Sequence, residues 1–279
     1  MKNIIIPNPG LLKEKLFKIK KEGKEDFHVI SDFDKTLTPA FIDGKEAETG
    51  VGQIRAGGYL CEDYVREAYA LKDKYYPIEI DESIPLEERS KKMLEWWQNH
   101  LKIMIKYGLN KGVIKDIITK GKIVPRKGTF EFYDLLNNNN IPMIIFSAGK
   151  GDLIEGFLKH EKKFYKNIHI IANFYKYDKK GLVIGYKSGI IHSFNKNESQ
   201  IKNTPIYNQV KSRKNVLLLG DGIGDLGMLE GLEHETVIKV GFLNKDIDKK
   251  KNLFEENFDI ILLNDSPMDC VNNLLKELF

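Results

Sequence analysis

Three short apolar runs in this chain stop abruptly at acidic or small polar residues. Residues 27–30 lead into Ser31-Asp32-Phe33-Asp34, residues 143–146 into Ser147-Ala148-Gly149, and residues 216–219 into Gly220-Asp221-Gly222. Short β-branched and aliphatic runs bounded by turn residues predict buried strands. Helix-compatible stretches lie between them, which predicts an α/β fold with a parallel sheet. Ligands collect at the carboxyl ends of strands in such sheets, and all three polar clusters fall at those ends.

The segment from Asp32 to Ser147 is far longer than a single crossover requires. Its middle is helical in pattern: Pro85 opens a helix-compatible run that lasts to Gly108. Met93, Leu94, Trp97, Leu101 and Met104 keep helical spacing there. Residues 63–76 and 111–119 predict further helices. Residues 44–127 thus read as a helical cap inserted into a core formed by 1–43 and 128–279. The glycine-rich stretch 41–59 predicts a mobile loop, and the asparagine run 137–140 another loop. Residues 174–194 alternate apolar and polar around Gly181, Gly185 and Gly189, which predicts a hairpin. The tail reads as a last strand and a closing helix.

Composition narrows the function. With 279 residues, 42% of them apolar, the chain can bury a large core. A net charge of +4 is far from the basic face of a nucleic-acid binder. No stretch approaches the ~20 apolar residues of a membrane helix. The opening MKNIIIPNPG breaks at Pro7 after three apolar residues, which predicts no signal peptide. Cys61 and Cys270 form no disulfide or zinc pattern. The expectation is a cytoplasmic monomer that handles a small molecule and binds neither nucleic acid nor membrane.

The clusters carry chemistry. Asp32 and Asp34 form a D-x-D at a strand end. One carboxylate can attack phosphorus and a second can shuttle the protons of the leaving group and of water. Asp221 and Asp225, in Gly-rich DGIGD, can bind a hard cation such as Mg2+, whose partners are carboxylates, water and substrate phosphate. Ser147, Ala148 and Gly149 can form a phosphate cradle before a helix from about residue 152. A fixed cation is expected nearby, with Lys196 first, then Lys202 and Lys211.

Four stretches in order, VISDFDKTLT, IIFSAG, FNK and LLLGDGIGD, resemble the phosphatases of the haloacid dehalogenase (HAD) superfamily. The stretches KYYPIEID, MLEWWQNH, IPMIIFSAGKGD, IIANF and IIHSFNKNES are similar to the cytosolic 5′-nucleotidase III family, also called pyrimidine 5′-nucleotidases. The resemblance implies a Rossmann-like HAD core with an inserted helical cap. It also implies Mg2+-dependent hydrolysis of nucleoside 5′-monophosphates, pyrimidine ones foremost, through an aspartyl-phosphate. Asp32 would be the nucleophile and Asp34 the acid/base. Ser147 and Lys196 would hold the phosphate. Asp32, the Asp34 carbonyl and Asp221 would bind Mg2+, supported by Asp225. Glu95, in MLEWWQNH, would contact the base from the cap. A different phosphomonoester substrate, or a non-catalytic phosphate binder, would share the core. DKTLT also resembles the DKTGT of P-type ATPases, a reading that the absence of membrane segments rejects.

Overall fold

The structure is a computed structural model that describes residues 3–279 apart from 82, 122 and 203, with the backbone alone at 198 and 199. β1 (Ile4–Ile5) precedes α1 (Pro9–Glu22), whose first turn is capped by the Asn8 side chain. β2 (Phe27–Ser31) is buried at every position. A small ribbon, β3 (Phe41–Ile42) with β4 (Lys45–Glu46), leads to four helices. These are α2 (Gly50–Ala56), α3 (Glu62–Ile80), α4 (Leu86–Lys106) and α5 (Lys111–Thr119). The chain then returns through α6 (Thr129–Asn138), β5 (Met143–Lys150), α7 (Gly151–His160) and β6 (Ile168–Asn173). β7 (Tyr175–Tyr177) and β8 (Val183–Tyr186) form the antiparallel hairpin that the alternation predicts. α8 (Tyr207–Val210), β9 (Asn215–Gly220), β10 (Thr236–Leu243), α9 (Ile247–Asn257), β11 (Ile260–Leu263) and α10 (Asp269–Leu278) complete the order.

Seven strands make one sheet in the order β1-β11-β10-β9-β2-β5-β6. All pairings are parallel except that of β1 with β11. β2 lies between β9 and β5, so the three polar clusters end on adjacent strands. The pleat sends alternate residues to opposite faces. Phe27, Val29, Met143, Ile145, Leu217 and Leu219 pack on one side. Ile30, Ile144, Phe146, Val216 and Leu218 pack on the other. Each such side chain stabilises the fold by about 1.5–3 kcal/mol relative to exposure. Tyr64 of α3, Met104 of α4 and Ile114 of α5 join the first cluster, so the inserted helices are packed onto the sheet side of the molecule. Among the described residues, no helix is long and apolar enough to cross a membrane.

The structure departs from the sequence pattern in four places. Residues 41–59 are not a loop: Asp43 and Gly44, both at positive φ, turn the β3–β4 ribbon, and α2 follows with Thr49 as its cap. α3 continues through Pro77 to Ile80, although an internal proline costs ~3 kcal/mol. Buried Tyr64, Ala68 and Tyr75 hold it against α4, where Tyr75 stacks on Trp96 at 5.9 Å. Leu94 is exposed while neighbouring Met93 is buried, because consecutive helix positions point about 100° apart. Finally, Asn137 and Asn138 belong to α6, and the turn comes at Asn140, whose φ is 54°.

Candidate active site

The D-x-D cluster sits where β2 ends. The Asp32 N–H donates to the Leu219 carbonyl at 3.0 Å, extending the ladder to β9 by one residue. Both Asp32 and Lys196 are buried, and Lys196 Nζ lies 2.6 Å from Asp32 Oδ1 and 2.8 Å from Asp225 Oδ1. The other Asp225 oxygen accepts the N–H groups of Asp221 and Gly222 at 3.0 and 3.1 Å, which shapes the glycine turn after β9. A side chain at Gly220 would stand 2.5 Å from Asp225 Cβ, so that position admits glycine alone. Asp32, Asp221 and Asp225 each offer an oxygen within 4.8 Å of the others.

Two buried carboxylates and the half-buried Asp221 with one lysine leave a negative excess. Burial, opposed by Lys196 and reinforced by Asp225 and Asp221, raises the Asp32 carboxyl well above its ordinary range. Burial and the Asp225 charge push Asp221 up to about 7. For Lys196, burial acts to lower its pKa, and the Asp225 and Asp32 charges outweigh it and raise the ammonium instead. This donor set fits a small hard cation: oxygen ligands, close spacing and uncompensated negative charge.

Asp34 is set apart from that group. Its Oδ1 accepts the Gly50 N–H at 3.4 Å, from the first turn of α2. Burial raises its pKa, which suits a general acid. A Cβ at Gly149 would approach Asp34 Oδ2 to 3.2 Å and Ser147 Oγ to 3.0 Å. Gly149 therefore lets the acid, the hydroxyl and a ligand share one small space. The Gly149 N–H donates to Ser147 Oγ at 2.9 Å. The residues of the three strand ends and Lys196 are thus brought together. Lys202 is exposed, and Lys211 lies over the Tyr207 ring, at 5.7 Å from its centroid.

A cleft of about 400 Å³ opens above Asp34, Ala148 and Gly149. Trp96 and Trp97 of α4, Arg55 of α2, Lys72 and Glu79 of α3 and Ser193 line its walls. Glu95 is not among its lining residues. Its carboxylate accepts from Tyr75 Oη at 2.5 Å and Lys92 Nζ at 3.0 Å, and these contacts hold its pKa down to about 2. The two residues that follow it on α4 reach the cleft instead. Their rings stack at 6.3 Å, and Lys150 Nζ lies 4.0 Å from the Trp97 centroid.

Four residues at or near the site are not singled out by the sequence pattern. Arg126 is buried and donates to the carbonyls of Thr36 (2.6 Å), Lys35 (2.5 Å) and Ser266 (2.8 Å), while pairing with Asp265 at 2.8 Å. It fixes the turn that follows Asp34, where Lys35 holds a positive φ of 63°. Glu79 accepts the Ser193 hydroxyl and ties α3 to the segment that carries Lys196. Lys150 and Arg55 stand beside the tryptophans. A lone lysine or arginine among the 44 basic residues gives no pattern to follow.

The chain matches the family model described as pyrimidine 5′-nucleotidase (UMPH-1) over residues 35–279. A human protein named 7-methylguanosine phosphate-specific 5′-nucleotidase is 34% identical over 276 residues, covering 99% of this chain and 92% of the relative. The Drosophila melanogaster protein of the same name is 32% identical, covering 91% and 80%. A crystal structure of cytosolic 5′-nucleotidase IIIB bound to cytidine superposes with a TM-score of 0.91 at 29% identity, covering 100% of this chain and 94% of that one. A HAD-family hydrolase from Salmonella enterica shares the fold at a TM-score of 0.60 and 14% identity, covering 90% and 72%.

Proposed function

The chain belongs to the pyrimidine 5′-nucleotidase family and is a 5′-nucleotidase of the HAD fold acting on nucleoside monophosphates; from that premise we propose that it hydrolyses them with Mg2+ through an aspartyl-phosphate on Asp32, pyrimidine nucleotides foremost. One observation carries the reading. Buried Asp32, Asp225 and Lys196 and half-buried Asp221 form a single cluster, with Asp34 beside it at the floor of an aromatic-walled cleft. In this reading residues 44–127 act as a cap over a core of 1–43 and 128–279.

An Asp32 carboxylate oxygen attacks phosphorus, and the bond from phosphorus to the ribose 5′-oxygen breaks. Asp34, whose carboxyl is shifted toward the protonated form by burial, gives its proton to the departing oxygen. Water then attacks the phosphorus of the aspartyl-phosphate, Asp34 takes a proton from that water, and phosphate leaves while Asp32 is restored. Ser147, the backbone at Ala148 and Gly149, and Lys196 hold the phosphate oxygens. Asp32, the Asp34 carbonyl and Asp221 would hold Mg2+, with Asp225 supporting their turn. The ion supplies charge neutralisation between nucleophile and phosphate.

For the base, the contact falls to the Trp96–Trp97 wall of the cleft rather than to Glu95. The same wall supports a second reading, 7-methylguanosine monophosphate, since a cationic base is attracted to a tryptophan face. The test is phosphate release from a panel of nucleoside 5′-monophosphates, with Mg2+ and with EDTA. Release from CMP and UMP that EDTA abolishes is expected. Turnover of p-nitrophenyl phosphate with none of any nucleotide would overturn the substrate assignment, and full turnover in EDTA would overturn the metal.

A further inference from the structure

Arg55 is a buried cation whose hydrogen-bonding capacity the described residues leave partly unused. It lies on α2, and it is 8% exposed. Its guanidinium stands over the Tyr69 ring at 5.2 Å, and its Nη2 is 3.9 Å from Glu48 Oε2, beyond hydrogen-bond length. Its Nε, also buried, has no hydrogen-bond partner among the described residues. A buried donor left unmade is costly and calls for a cause. Arginine presents five donors in a rigid fork suited to planar acceptors. The group also lines the cleft beside Trp96 and Trp97.

α2 ties this cation to the chemistry. Its first residue, Gly50, donates to Asp34, and Arg55 follows about 1.4 turns later, ~7.5 Å along the axis. Asp34 and Arg55 line the same cleft, so a nucleotide whose phosphate sits at Asp34 has room to extend toward Arg55.

We propose that Arg55 reads the nucleobase: its guanidinium donates to an exocyclic carbonyl oxygen of an uncharged base and disfavours a base that carries positive charge. This rests on the nucleotidase reading above and selects between its two substrates. Cytosine and uracil offer such oxygens without charge. A 7-methylguanine ring offers one too, but brings a positive charge next to Arg55 and Lys72, which lines the same cleft.

The experiment compares kcat/KM for CMP and for 7-methylguanosine monophosphate in the wild-type enzyme and in Arg55→Gln, with Mg2+ present and folding checked by circular dichroism. The wild type is expected to favour CMP. In Arg55→Gln the CMP-to-methylguanosine ratio is expected to fall about tenfold or more, mainly through KM for CMP. Arg55→Lys keeps the charge and loses the fork. Its KM for CMP is expected to rise several-fold while selection against the charged base persists. That variant decides the matter if the glutamine variant does not fold, an unchanged KM for CMP counting against the proposal. A ratio within threefold of wild type in folded Arg55→Gln overturns the role of Arg55 and leaves the nucleotidase reading intact. A wild-type preference for the methylated nucleotide overturns it likewise. Failure of the wild type on every nucleotide, with p-nitrophenyl phosphate still hydrolysed, overturns both.

Discussion

Replacing Lys196 with methionine tests the electrostatics of the centre. The side chain keeps its length and loses its charge. In the structure Lys196 Nζ bridges Asp32 and Asp225 at 2.6 and 2.8 Å, with all three side chains at least nine-tenths buried. Removing one partner of a buried ion pair costs about 3–5 kcal/mol. A second route gives a similar figure. The stranded cluster can relieve itself at pH 7 by taking up a proton, and holding a carboxyl of ordinary pKa ~3.9 protonated at that pH costs about 1.36 kcal/mol for each of roughly three units, or ~4 kcal/mol. For a chain of this size, ~4 kcal/mol lowers Tm by roughly 10 °C. The assay is thermal melting in EDTA, followed by titration with Mg2+. The variant should melt lower by that amount in EDTA. Mg2+ should restore more of the loss than it adds to the wild type, because the ion replaces the missing charge. Phosphate release should fall about a hundredfold or more in either condition. A Lys196→Met protein that melts within 2 °C of wild type in EDTA, about 0.8 kcal/mol on the same scale, would refute the bridge.

Asp32→Asn should fold normally and lose at least ~10³-fold in kcat, since an amide cannot replace the attacking carboxylate; residual turnover of several per cent would exclude Asp32 as the nucleophile. Glu95→Ala should lower kcat/KM for nucleotides by no more than about threefold, the worth of its hydrogen bond to Tyr75. A tenfold loss confined to nucleotides, with p-nitrophenyl phosphate spared, would show instead that the carboxylate swings into the cleft. His100 carries a pH prediction: burial, with Lys150 and Arg55 nearby, holds it down to about 3, against ~6.5 when unfolded. The neutral ring's contribution is complete above pH 6.5 and is lost as pH falls toward 3, amounting to about 2 kcal/mol at pH 5. Wild-type Tm should therefore drop between pH 7 and 5 by several degrees more than that of His100→Gln, and parallel curves would clear this histidine.

What the sequence determined by itself is local. Asp32 and Asp34 share one strand end because they are two residues apart after an apolar run, and Asp221 and Asp225 share one glycine turn for the same reason. Chain neighbours at a strand terminus cannot be far apart in space, so the candidate carboxylates were legible before any fold was known. Lys196 stands first among the candidate cations, ahead of Lys202 and Lys211, and the family resemblance implies it, but its bridge to Asp32, 164 residues distant, exists only in the folded sheet. Glu95 shows the limit of local reasoning. One residue along a helix is about 100° of rotation, so the packing of α4 against α3 decided that Trp96 and Trp97 face the cleft while Glu95 turns to Tyr75. Glycine content marked 41–59 as mobile, yet the Gly50 amide donates to Asp34 and α2 brings Arg55 to the cleft. Arg126 left no trace in the pattern, because its partners are mostly backbone carbonyls, which every residue possesses. Only the tertiary structure could decide which carbonyls come within its reach.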